Sequence, residues 1–203
     1  MPRSPLLLAA ALALGSGCAQ PADAPEPGPT YQPTRSASSD APPDSPPADP
    51  PAVPPGTTAT LARADLEPVG DAEAAGRVVL TDTPDGLLFS VDVEGLEGDG
   101  LMALHVHEGG SCARPGGLFN PDGAPLGGPM ENADRRPAGA AGNLIARESG
   151  DGRYEHVDPL LTLGEGRNVL GRVAVLHARQ DDYHTPPEGD PGPIVACGVI
   201  LPQ

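Results

Sequence analysis

From about Thr57 onward the chain alternates short apolar runs with clusters of Gly, Pro and Asp. Seven runs have the length and composition of strands: 57–63 (TTATLAR), 75–82 (AGRVVLTD), 86–94 (GLLFSVDVE), 101–107 (LMALHVH), 143–147 (NLIAR), 169–177 (VLGRVAVLH) and 194–200 (IVACGVI). The segment TPDG between the second and third is a tight-turn signal, closed by Gly86. Long helical periodicity and internal repeats are both missing. Roughly seven or eight strands predict an all-β sandwich or barrel. The stretch 108–142 is rich in glycine and proline and too long for a plain turn, a length that marks loops as functional or disordered.

Upstream the pattern disappears. Residues 19–56 are a Pro/Ala/Ser-rich tract with few apolar residues other than alanine, so they cannot bury enough surface to offset chain entropy. Such a tract serves as a disordered, semi-extended spacer. Residues 1–18 read as an export signal: Arg3 is the only early charge, and Leu6 to Leu14 form a short apolar core. Nine helical residues span roughly 14 Å, under half of a ~30 Å hydrocarbon core, which excludes a transmembrane helix. The run ends in GSG before Cys18, similar to the processing site of bacterial lipoproteins, in which the cysteine is acylated. The expected organisation is therefore 1–18 signal, 19–56 linker and 57–203 folded domain, exported to the periplasm or cell surface and held to the membrane by a lipid on Cys18.

Net charge is −16, and all twelve basic residues are arginine. No basic patch is visible, which argues against nucleic-acid partners and against electrostatic membrane binding. Three cysteines are an odd number for an exported protein. Assigning Cys18 to a lipid leaves Cys112 and Cys197 free to pair in an oxidising compartment.

His105 and His107 form an HxH pair at the end of a predicted strand. Alternation puts both rings on one face with Cα atoms ~6.6 Å apart, so their nitrogens can converge on one metal ion. His177 ends another predicted strand, and three imidazoles on β-scaffolding suit copper. HxH alone also opens the metal motif of a cupin, but no convincing second cupin motif follows.

The surrounding strings decide between these. HVHEGGSC, GGLFNP, GGP, AGN, GRVAVLH, DDYHTPP and ACGVI recur in an order that resembles the copper/zinc superoxide dismutases, especially their exported bacterial branch, over about residues 58–203. The resemblance implies an eight-stranded Greek-key β-barrel. It implies His105, His107 and His177 as copper ligands and Cys112–Cys197 as a disulfide pinning the metal loop. That bridge would close about 86 residues, worth about 4–5 kcal/mol on the chain-entropy model. It also implies Asp181 as the carboxylate that orients a ligand histidine.

Departures from the family pattern carry as much information. Where the resemblance places the histidine bridging copper and zinc stands Leu118; the remaining zinc-ligand positions are Leu126, Pro137 and Ala140. None of these side chains can donate to Zn²⁺, so copper, one per chain, is the expected metal and zinc is not. Ile194 occupies the place of the active-site arginine, removing a charge that would attract superoxide. The remaining histidines, His156 and His184, fall in expected loops. The resulting expectation is a copper-dependent superoxide dismutase of reduced efficiency, or alternatively a noncatalytic copper-binding lipoprotein for buffering or delivery. Three imidazoles without a fourth partner would favour Cu⁺ over Cu²⁺.

Overall fold

A computed structural model describes residues 53–203; the expected signal, Cys18 and nearly all of the linker lie outside the described residues. The strands are β1 (Leu61–Pro68), β2 (Ala75–Thr83), β3 (Gly86–Glu94), β4 (Gly100–His107), β5 (Ala140–Ala146), β6 (Gly152–Asp158), β7 (Val173–His177), β8 (Ile194–Val199) and a two-residue β9 (Leu201–Pro202). No helix forms among the described residues.

Local pattern explains the elements. Along β3, Leu87, Phe89, Val91 and Val93 are buried while the residues between them are only half-buried, the period of two expected of a strand with one apolar face. Strands β2 and β3 make a hairpin in register from Ala75↔Glu94 to Thr83↔Gly86, turning through the TPDG segment. Gly86 has φ +135°, and a Cβ there would lie 2.4 Å from the carbonyl oxygen of Asp158, so only glycine fits.

The antiparallel order β2-β3-β6-β5-β4-β7-β8-β1 closes on itself through pairing of β1 with β2, giving an eight-stranded barrel with β9 on the edge of β1. The connections from β3 to β4 and from β6 to β7 pass to strands that are not neighbours, the Greek-key arrangement the resemblance implies. The interior is filled from all sides by residues such as Leu66, Leu80, Phe89, Leu104, Leu144 and Leu176.

Strands β4 and β7 are covered on both faces. Met102, Leu104 and Val106 enter the barrel core, while Ala103, His105 and His107 face the other way and are buried all the same. On β7, Ala174 and Leu176 point inward, and Val173 and Val175 join Cys197 in a second apolar cluster outside. Loops lie over this outer face.

The long loop after β4 is ordered by backbone bonds on both its flanks. Phe119 N–H donates to Val106 O at 2.9 Å, Gly139 N–H to Phe119 O at 2.7 Å, and Val106 N–H to Gly139 O at 2.9 Å. Phe119 itself is buried in the core, with the Arg172 guanidinium 3.7 Å from its ring centroid. A fully buried ion pair, Arg136 to Asp158 at 2.7 Å, fastens the loop's end to β6. Arg136 also donates to the carbonyls of Glu131, Pro137, Ala138 and Ala140, and Asp158 accepts from the N–H groups of Leu160 and Leu161.

Four of the eight barrel strands differ from expectation by more than one residue. The first strand starts at Leu61 rather than 57 and runs on to Pro68, because Asp65 and Glu67 face solvent while Ala64 and Leu66 turn inward. Strand β6 is absent from the sequence reading: its inward positions are Tyr154 and His156, which give no aliphatic stripe. His156 is consequently a strand residue, not a loop residue. Strand β7 begins only at Val173, since Gly171 has φ +76° and interrupts the apolar run. Strand β5 starts three residues early, at Ala140, where small residues conceal it.

Candidate metal centre

Antiparallel pairing of β4 with β7, in register Leu104↔Leu176 and His105↔Val175, places His177 one diagonal step from His105 across the ladder. Neighbouring strands lie about 4.8 Å apart, so the rings must meet on the outer face. The ring centroids of His105, His107 and His177 are 6.0, 5.0 and 5.6 Å apart pairwise.

Each imidazole has one nitrogen committed. His105 Nε2 is 2.8 Å from Asp181 Oδ2, His107 Nδ1 is 2.9 Å from Gly116 O, and His177 Nδ1 is 2.9 Å from Gly192 O. Carbonyl and carboxylate oxygens accept, so these nitrogens carry the protons and fix the tautomers. The opposite nitrogens, His105 Nδ1, His107 Nε2 and His177 Nε2, then hold lone pairs; they are buried and have no hydrogen-bond partner. Buried polar atoms are rarely left alone, and three that converge form a receptor for a cation. Burial also lowers the pKa of His107, and that of His177 to about 4, so both rings are neutral near pH 7 and free to donate.

A fourth group, missing from the sequence reading, joins them. Glu188, in the loop between β7 and β8, places Oε2 at 3.8 Å from His107 Nε2, while Oε1 accepts the backbone N–H of Leu118 at 3.0 Å. Donor atoms of His105, His107, His177 and Glu188 all lie within 4.8 Å of one another. No spacing rule marks a glutamate in PPEGDPG; only the path of the loop reveals it.

Asp181 is 3% exposed and locked in place, with Oδ1 accepting Tyr183 N–H at 2.6 Å and its backbone N–H donating to Asn143 Oδ1 at 2.8 Å. Its Oδ2 is the atom that meets His105 Nε2. Cys112 and Cys197 are disulfide-bonded with Cα atoms 5.8 Å apart, tying the loop after β4 to β8. His184 is exposed and His156 stacks on Tyr154 at 6.0 Å; both stand apart from the converging group. Leu118 lies beside the backbone of His107, Pro137 and Ala140 are buried, and Leu126 is half-buried. Ile194 pairs with His177 across β7 and β8.

A Greek-key barrel with buried imidazoles converging on its outer face defines a β-barrel protein with a metal-receptive centre. Comparison with known proteins narrows this class. The family model "Copper/zinc superoxide dismutase" matches residues 74–200, and the chain belongs to that family. It is 34% identical over 140 residues to Superoxide dismutase (Cu-Zn) 2 of Aquifex aeolicus, covering 64% of this chain and 81% of that one. It is 36% identical over 141 residues to the superoxide dismutase (Cu-Zn) of Caulobacter vibrioides, covering 64% and 80%. Among relatives described as extracellular, that of Drosophila melanogaster is 32% identical over 142 residues, covering 64% and 77%. The crystal structure of the clock protein EA4 superposes with a TM-score of 0.65 at 32% identity, over 72% of this chain and 97% of that one.

Proposed function

We propose that residues 57–203 form a superoxide dismutase that works with copper alone, and that the exported chain is lipid-anchored through Cys18. The observation that carries the metal assignment is the set of three buried imidazole nitrogens left without hydrogen-bond partners. Copper, when bound, supplies one-electron exchange, the chemistry by which two superoxide anions and two protons become dioxygen and hydrogen peroxide. His105, His107 and His177 would hold it, Asp181 orients His105, and the Gly116 and Gly192 carbonyls orient the other two rings. The zinc-ligand positions carry Leu118, Leu126, Pro137 and Ala140, which have no donor atoms in their side chains, so no stoichiometric zinc is expected.

Efficiency should be reduced. Leu118 cannot carry a proton to the reacting oxygen, and Ile194 offers no charge to hold the anion. A second reading, a noncatalytic copper lipoprotein for buffering or delivery, is favoured by the Glu188 carboxylate among the donors, where an anionic substrate meets like charge. Export is supported by the disulfide and by relatives described as extracellular. The test loads the purified protein with copper, counts its metals and assays dismutation in the same sample. One copper, no zinc and measurable activity is the expected result; copper without activity selects the second reading. Tightly held zinc at one per chain would overturn the copper-only assignment. His177→Ala should lose copper, and normal retention in that variant would refute the ligand set.

A further inference from the structure

We infer that Glu188 is a fourth, anionic copper ligand, so that the centre is a three-histidine, one-carboxylate site built to hold Cu²⁺. This rests on the copper reading above and goes beyond it in assigning a donor outside the three histidines. Three features support it. The carboxylate lies within the same 4.8 Å group as the three imidazole donors. Its two oxygens have different duties: Oε1 takes the Leu118 N–H at 3.0 Å, leaving Oε2 on the side of His107 Nε2. The residue that presents it is the leucine standing where the resemblance places a bridging imidazole. The side chain lost at Leu118 is thus answered by one arriving from the opposite loop, aimed by the backbone of Leu118 itself.

The loop is shaped to deliver it. Gly189 has φ +83°, and a Cβ there would lie 1.7 Å from Asp181 Oδ1, so the chain next to Glu188 packs directly on the carboxylate that orients His105. Gly189 N–H donates to Thr185 O at 2.7 Å, and Asp182 N–H to Gly189 O at 2.9 Å, closing the loop. The Glu188 side chain is 21% exposed, within the wall of the site rather than out in solvent.

Chemistry sets the consequence. Cu⁺ is content with three nitrogen donors, whereas Cu²⁺ takes tetragonal nitrogen and oxygen sets and gains more from an anionic ligand. A carboxylate here stabilises the oxidised ion and lowers the reduction potential, opposite to the Cu⁺ preference that three histidines alone imply. The test compares the disulfide-intact protein with Glu188→Gln and Glu188→Ala. Gln keeps an acceptor for the Leu118 N–H and so keeps the loop; Ala removes both functions.

Cu²⁺ and Cu⁺ affinities are measured by competition with chelators, and the Cu²⁺ site by electron paramagnetic resonance. Glu188→Gln should bind Cu²⁺ at least about tenfold more weakly, with Cu⁺ affinity held within about twofold, and Glu188→Ala should weaken Cu²⁺ at least as much. A tenfold change in that ratio corresponds to a potential raised by about 59 mV. The copper hyperfine pattern should change while the imidazole nitrogen couplings persist. An unchanged spectrum with an unchanged affinity ratio would overturn the assignment, and so would equal losses for both ions. If the parent binds no copper, or His177→Ala binds it equally well, the copper reading itself fails and takes this inference with it.

Discussion

At the strand ends, each histidine is held at one nitrogen and bare at the other, and the holding partner differs: a carboxylate for His105, a main-chain carbonyl for His107 and for His177. A carboxylate is the stronger acceptor and the only one of the three that mutation can remove. Asp181→Asn should therefore weaken copper binding about 10- to 100-fold while the barrel stays folded, read by competition against a chromophoric chelator. Unchanged affinity would mean that packing alone orients the ring. His177 was added to His105 and His107 only by the resemblance, since the pairing of β4 with β7 is distant in sequence. Those two were legible as neighbours because HxH sits on a strand with a period of two. Glu188 was illegible for the opposite reason. It lies in an irregular loop, and its nearness to His107 depends on Gly189 passing under Asp181, a contact that follows no period.

Among the elements, the readable strands were those with apolar inward faces, such as β3 with Leu87, Phe89, Val91 and Val93. Strand β6 shows what such a reading misses, since Tyr154 and His156 are amphipathic and the strand's last residue, Asp158, is a fully buried charge. That charge is tolerable because Arg136 faces it at 2.7 Å and the N–H groups of Leu160 and Leu161 satisfy its other oxygen. Removing one partner of a buried pair strands the other. Asp158→Ala should cost about 3–5 kcal/mol, measured as a lowered midpoint of chemical unfolding. Because Arg136 also gathers four carbonyls at the end of the metal loop, the variant should lose copper affinity along with stability. A loss under 1 kcal/mol, which the ordinary surface pair contributes, would show that water reaches the pair.

For the whole molecule, a formal charge of −16 sets the long-range field that an approaching anion meets. Attraction by a local arginine is absent at Ile194, so repulsion dominates the encounter. The second-order rate constant for dismutation should then rise with added salt, as screening shortens from a Debye length of about 30 Å at 0.01 M to about 10 Å at 0.1 M. A rate that falls with salt would reveal a cationic patch steering the substrate. The barrel was legible at this scale because turn signals recur between strands, whereas its register and closure depend on pairings far apart in sequence. The disulfide is one such distant link, and it gives the site a history as well as a geometry. Cys112 and Cys197 are 85 residues apart, so synthesis must pass β5, β6, β7 and most of β8 before that bond can exist. The loop that shelters the histidines is consequently fastened late, and only where thiols are oxidised. In a reducing compartment the same chain lacks that fastening, so its hold on a metal becomes a record of where it matured.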